Sequence, residues 1–314
     1  MMNIWKAGIM GVVVGDALGC PVQFESREEV ARHPVTGMRG YGTFNLPAGS
    51  WTDDSSLTLA LLESIGRIGG IDRVDIMNNF VRWLDDGAFT PYGWAYDIGG
   101  GTMNAIQKYK RVRDPDKSGS RDAMNNGNGS LMWIMPAVLY CIEKGLSDDE
   151  AIDIIHGVGS LTHGHIRANI GCGLYYFMAA SILKGSNTLT DRLQAGLDKG
   201  FAFYENHLAD HEDLEYYDRL RDMNSFAALP AGKIRGSGYV VDALEAAVWS
   251  LATTDSFEDA LLKAVNLGDD TDTVAAIAGG LAGLYYGYEA IPENWLAALQ
   301  RRDWIEDMIS RINL

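Results

Sequence analysis

Apolar residues recur along this chain at intervals of three and four. Leu57, Leu61, Leu62, Ile65 and Ile68 follow an opening of Thr52-Asp53-Asp54-Ser55-Ser56, and Val274, Ile277, Leu281, Leu284 and Tyr285 follow Asp270-Thr271-Asp272-Thr273. That spacing lays an apolar stripe along one face of a helix. The same period predicts helices around 3–18, 71–85, 131–144, 148–156, 165–184, 189–205, 238–252, 256–265 and 292–312. No stretch sustains the alternation of a half-buried strand, and hairpin dipeptides between such stretches are missing. The fold class expected is all-α.

Two long loops break the pattern. Pro34–Ser50 carries four glycines and two prolines, and Arg111–Ser130 is polar and rich in Gly, Asn and Asp. Loops of that length inside a globular chain are usually functional. With no internal repeat and no dividing linker, the chain is read as a single domain over 1–314.

Composition narrows the partners. The 26 Lys+Arg against 42 Asp+Glu give a net charge of −16. That balance disfavours nucleic acid, whose binding needs clustered cations. No apolar run approaches the ~20 residues of a bilayer span, which argues against a membrane partner. The opening Met1-Met2-Asn3-Ile4-Trp5-Lys6 lacks the features of a signal peptide, so a cytoplasmic protein is expected. Cys20, Cys141 and Cys172 form no C-x-x-C pair, and no H-E-x-x-H pattern surrounds His156, His163 and His165. Reduced, core-packing thiols are expected, with little support for nitrogen- or sulfur-ligated metal.

The two acidic helix starts carry the candidate chemistry. Thr and Asp at such positions can simply cap a helix and favour its positive end. The second cluster, Gly268-Asp269-Asp270-Thr271-Asp272-Thr273, has more aspartates than capping requires. It also opens a helix so poor in charge (VAAIAGGLAGLYYG) that it must be buried nearly all round. Unpaired carboxylates at the edge of a core are costly, and no Lys or Arg occurs between Lys263 and Arg301. Carboxylates interleaved with threonine hydroxyls suit Mg²⁺ or Mn²⁺, and two such clusters meeting in space could hold a pair of ions.

Five motifs then occur in order: G-D-A-L-G (15–19), T-D-D-S (52–55), N-G-N-G-S (126–130), S-L-T-H-G (160–164) and G-D-D-T-D-T (268–273). With them the chain, from Gly8 to about Tyr288, resembles the ADP-ribosylglycohydrolase family. The resemblance implies a compact orthogonal helical bundle with a metal centre at the base of an ADP-ribose cleft. It implies Thr52, Asp53 and Asp54 as one ligand set for two divalent cations, Mg²⁺ or Mn²⁺, and Asp270, Asp272 and Thr273 as the other. Asp269 is left as a support or cap.

The remaining motifs each have a plain and a functional reading. Gly19 reads as a helix stop, while the resemblance places Asp16 near the metals and Glu25 at the cleft, guarding or activating water. Asp97, before Ile98-Gly99-Gly100-Gly101-Thr102, is either a helix cap or, by the resemblance, a general base. Gly127, Asn128, Gly129 and Ser130 form either a turn with Ser130 as cap or a cradle of backbone donors for a diphosphate. His163 is a core residue or, by its T-H-G match, a contact to phosphates or ribose. Tyr239 is a platform for adenine or ribose or part of the packing of its own helix.

The expected activity is metal-dependent hydrolysis of the bond between the anomeric carbon of the distal ribose of ADP-ribose and an acceptor. An arginine of an ADP-ribosylated protein is the favoured acceptor; a small derivative such as O-acetyl-ADP-ribose is an alternative. Rival readings are a non-catalytic ADP-ribose-binding or structural member, or a phosphoesterase acting on the diphosphate. A monomer is expected.

Overall fold

Gly11, Gly15 and Gly19 recur every four residues on the first helix, and Gly279 and Gly283 on a late one. The computed structural model, which describes residues 3–185 and 187–314, packs these two stripes face to face. A Cβ on Gly11 would run into the Gly279 carbonyl, on Gly15 into that of Ala275, on Gly19 into that of Thr271, and on Gly283 into that of Ala7. The falling partner numbers make the pair antiparallel. Only glycine permits this backbone-to-backbone approach.

These are α1 (Ile4–Gly19) and α14 (Thr271–Tyr286), the most extensively packed pair in the fold. Between them run α2 (Arg27–Arg32), α3 (Asp53–Ile68), α4 (Arg73–Asp86), α5 (Gly100–Val112), α6 (Met135–Glu143) and α7 (Asp148–Gly159). Then come α8 (Ile166–Lys184), α9 (Leu189–His207), α10 (Glu212–Glu215), α11 (Met223–Ala227), α12 (Val240–Ala252) and α13 (Phe257–Val265). The chain closes with α15 (Glu293–Ala298) and α16 (Arg302–Ser310). Helix makes up 66% of the structure, with no strand among the described residues, as the periodicity predicts.

Helix α14 is buried at every position from Thr271 to Leu284, enclosed by α1, α8, α12 and α13. Around this pair the apolar core is continuous from Trp5 to Ile309. The segment Ile4–Val22 reaches the length and hydropathy of a membrane span, contrary to the run-length expectation, but 89% of it is buried inside the protein. The three cysteines are free and buried, as expected.

Some boundaries differ from the expectation. The stretch 131–144 begins as a 3₁₀ turn, Leu131–Trp133, because Pro136 cannot lie inside a continuous helix. The stretch 292–312 breaks at Arg301, whose φ of 55° is left-handed. Helix α5 lies outside the predicted stretches because three glycines precede its short stripe of Ala105, Ile106 and Tyr109. Helices α2, α10 and α11 are too short to show a period.

Candidate metal centre and ligand cleft

The glycine seam carries the end of α1 to the start of α14, and α3 begins beside both. Asp16, in the last turn of α1, joins them. Its carboxylate accepts from the Thr52 amide at 3.0 Å, the Thr52 hydroxyl at 3.0 Å, the Ser55 amide at 2.9 Å and the Ser55 hydroxyl at 2.5 Å. Ser55 is the third residue of α3, whose free N–H would normally go to the preceding cap side chain. Here an aspartate from another helix takes that place, and Thr52 makes no side-chain cap bond. Nor does Asp270 cap α14 with its side chain, so the capping reading fails at both acidic starts.

The released side chains converge. The Thr52 hydroxyl lies 3.3 Å from Asp272 Oδ2 and 3.4 Å from Asp54 Oδ2, and the Thr273 hydroxyl lies 3.4 Å from that same Asp54 oxygen. Asp270 accepts from the Asn128 side-chain amide at 2.6 Å. Burial, followed by the negative charge of neighbouring aspartates, pushes Asp53, Asp54 and Asp272 well above the usual carboxylate range. Burial likewise raises Asp97 and Asp270, against hydrogen bonds from Gln23 and, at Asp270, Asn128. Asp16 is raised to about 6 by burial despite its four donors.

Among the described residues, no three His, Cys, Asp or Glu side chains already close around one point as metal ligands. The donors nevertheless suit a hard cation. They are all oxygen, they repel one another, and Asp54 Oδ1 and Asp97 Oδ2 are buried without any partner.

A cleft of about 390 Å³ opens over this cluster. Asp53, Asp97, Asp270 and Thr273 line it, while Thr52, Asp54 and Asp272 lie buried nearby. Gly127, Asn128, Gly129 and His163 line it too, facing the N-terminus of α5 at Gly99–Thr102. His163 fits only because its neighbours lack side chains. A Cβ on Gly101 would lie 2.6 Å from its Nε2, and one on Gly129 2.6 Å from its Cε1. Burial lowers this imidazole to about 4, so it is neutral at pH 7.

Other expected residues sit differently. Ser130 makes no cap bond; its hydroxyl is fully buried, 3.6 Å from Cys172 Sγ. The backbone N–H of Asn128 is not free for a phosphate, since it donates to the Gly238 carbonyl at 2.9 Å, and its side-chain amide gives one of its two N–H groups to Asp270. Tyr239 is half-buried, pairs with Gly127 through a backbone bridge, and accepts from Arg167 at 3.1 Å, but does not line the cleft. Asp97 does not cap α5, whose cap position is Gly99.

Glu25 also lies outside the lining. The Phe24 amide donates to the Asp269 carbonyl and the Asp269 amide to the Glu25 carbonyl, each at 2.7 Å, with Phe24 and Asp269 both left-handed. Gln23, Phe24 and Asp269 line the cleft instead. Asp269 is thus a wall residue rather than a cap. Gln23 belongs to none of the five motifs; a polar residue next to the apolar Cys20-Pro21-Val22 is its only signal in the sequence.

The profile of the family described as ADP-ribosylglycohydrolase matches residues 5–314. An ADP-ribosylarginine hydrolase of Serratia proteamaculans is 31% identical over 98% of this chain and 78% of its own. An ADP-ribosyl-[dinitrogen reductase] glycohydrolase of Rhodospirillum rubrum is 28% identical, covering 93% and 89%. A solved structure titled as an ADP-ribosylglycohydrolase-related protein complex superposes with a TM-score of 0.78 at 31% identity, over 99% of this chain and 97% of that one. With a profile match over nearly its whole length, and with that fold, the chain belongs to the ADP-ribosylglycohydrolase family.

Proposed function

We propose that this protein hydrolyses the bond between ADP-ribose and an arginine side chain of a modified protein. The names of the Serratia and Rhodospirillum relatives support the substrate class. The observation that carries the chemistry is the meeting of two buried acidic helix starts with orphaned carboxylate oxygens. Members of the family generally depend on divalent metal. In this chain Thr52, Asp53 and Asp54 would hold one side of a two-cation centre, and Asp270, Asp272 and Thr273 the other. Bound there, Mg²⁺ or Mn²⁺ supplies Lewis-acid activation of water and of the ribose oxygens.

The remaining steps belong to the protein. The first turn of α5 offers backbone N–H groups and a positive helix end to the diphosphate, beside the neutral His163. Asp97, lining the cleft with Oδ2 unpartnered, receives the proton of the attacking water. Its raised pKa brings it closer to a useful base at neutral pH. Water oxygen bonds to the anomeric carbon as the carbon–nitrogen bond to the guanidine breaks, through an oxocarbenium-like transition state. Asp97 is preferred to Glu25 as base because only Asp97 faces the cleft. Incubation with an ADP-ribosyl-arginine peptide and Mg²⁺ tests the assignment. Free ADP-ribose and intact arginine are expected. AMP would point to diphosphate cleavage, and no product would leave a binding protein.

A further inference from the structure

Three aromatic segments meet beside the acidic cluster, and neither metal binding nor phosphate binding uses them. Phe24 lines the cleft yet is 64% exposed, a large exposure for a phenylalanine. Its φ of 69° is one that bulky residues rarely adopt, and the paired hydrogen bonds with Asp269 hold it there. The backbone is therefore bent in a way that turns an apolar ring toward solvent at the cleft wall.

Behind that wall, outside the cleft lining, further aromatic residues connect to it. The Thr43 hydroxyl donates to the Gln23 carbonyl at 2.6 Å, and Phe44 packs on Tyr96 with ring centroids 5.5 Å apart. Tyr96 in turn packs on Trp94 at 5.0 Å and donates its hydroxyl to the Trp51 carbonyl, next to the first acidic start. Trp94 is 48% exposed. Asp97, the next residue after Tyr96, and Asp269, the hydrogen-bond partner of Phe24, add carboxylates to the same wall.

We infer that Phe24 forms the acceptor side of the site and recognises a planar cation, the guanidinium of the modified arginine. Aromatic faces attract such a cation through their quadrupole, and a delocalised guanidinium stacks where a serine hydroxyl cannot. The flanking carboxylates complement its charge, and the net charge of −16 favours approach of a basic acceptor segment. This rests on the arginine-hydrolase reading and deepens it, by assigning linkage specificity to a residue outside the metal cluster.

The test separates the two ideas. Agmatine, a free guanidinium probe, is titrated by calorimetry into protein saturated with Mg²⁺ and ADP-ribose. Phe24→Leu, which keeps bulk but removes the π face, should weaken agmatine binding by about 10-fold while ADP-ribose affinity moves less than about twofold. With peptides, Phe24→Leu should raise KM for the arginine-linked substrate and leave that for a serine-linked one nearly alone, with kcat little changed. Equal agmatine affinity in wild type and variant, no agmatine binding in wild type, or equal KM shifts for both linkages would each overturn the assignment. Wild type that cleaves neither peptide would refute the hydrolase reading instead, and the agmatine titration would still decide the role of Phe24.

Discussion

Gly19 and Asp272 touch backbone to backbone: a Cβ on Gly19 would lie 2.5 Å from the Asp272 Cα. Two motifs 253 positions apart thereby share one point in space, because 272 − 19 = 253. The acidic start of α14 owes its position to a seam of missing side chains.

That seam gives the first prediction. Gly15→Ala would drive a methyl into the Ala275 backbone, which cannot move aside as a side-chain tip can. Alanine gains up to ~1 kcal/mol in helix propensity, but the clash should outweigh it, for a net loss of about 2 kcal/mol. Gly66→Ala in α3 is the matched control, since its Cβ meets only the end of the Ile312 side chain. Urea unfolding should show Gly15→Ala destabilised and Gly66→Ala neutral or slightly stabilised. If both behave alike, the seam does not constrain the two helices.

Asp16 acts through the helix it caps. Asp16→Asn keeps the shape but turns an N–H₂ toward two N–H and two O–H donors, leaving some of them unpaired in a buried site. The expected cost is about 2–3 kcal/mol of stability. Because α3 then loses its anchor, Mg²⁺ affinity measured by calorimetry should fall as well. A variant that unfolds earlier but binds Mg²⁺ as wild type does would reduce Asp16 to a structural residue.

This trans-cap shows where sequence reading stops. Threonine and aspartate ahead of an apolar stripe are legible as a helix start, and the charge-poor stretch after Thr273 is legible as a buried helix; both are so in the structure. Spacing along the chain cannot reveal that another helix supplies the cap and so frees Asp53 and Asp54. It also cannot reveal a left-handed residue. The turn at Phe24 decides that Gln23, not Glu25, lines the cleft, and Phe is among the residues least expected to adopt it. Helix α5 was hidden for a related reason: glycines that look like loop are what let its N-terminus approach His163.

His163 predicts a pH dependence. Its folded pKa of about 4 lies below the ordinary 6.5, so its neutral form is favoured by folding. Its contribution to stability is full above pH 6.5 and is lost as pH falls toward and through 4. Between pH 7 and pH 5 the loss should be about 2 kcal/mol from this residue alone. His163→Gln lacks the titration, so wild type should lose more stability than the variant over that interval in denaturant melts. The carboxylates titrate in both proteins and cancel in the difference. Parallel losses would mean that the imidazole is solvated rather than held neutral by burial.

The metal prediction decides whether the acidic cluster is a site. Asp53, Asp54 and Asp272 are buried together with the partly buried Asp270 beside them, and the neighbouring charges that raise Asp53, Asp54 and Asp272 are themselves carboxylates. Without cations, some of these groups must stay protonated or repel one another across the junction of α3 and α14. Two divalent ions would carry four positive charges to four carboxylates. Binding to the folded state alone stabilises it by ~2.7 kcal/mol at a hundredfold excess over Kd. EDTA should therefore lower the melting temperature by several degrees, and Mg²⁺ or Mn²⁺ should restore it. The double variant Asp53→Asn/Asp272→Asn has lost two of the mutually repelling carboxylates. Its melting temperature without metal should match or exceed that of stripped wild type, and added metal should barely move it. A wild-type melting curve indifferent to both chelator and cation would leave the buried carboxylates as neutral, hydrogen-bonded groups and remove the physical basis for a metal centre.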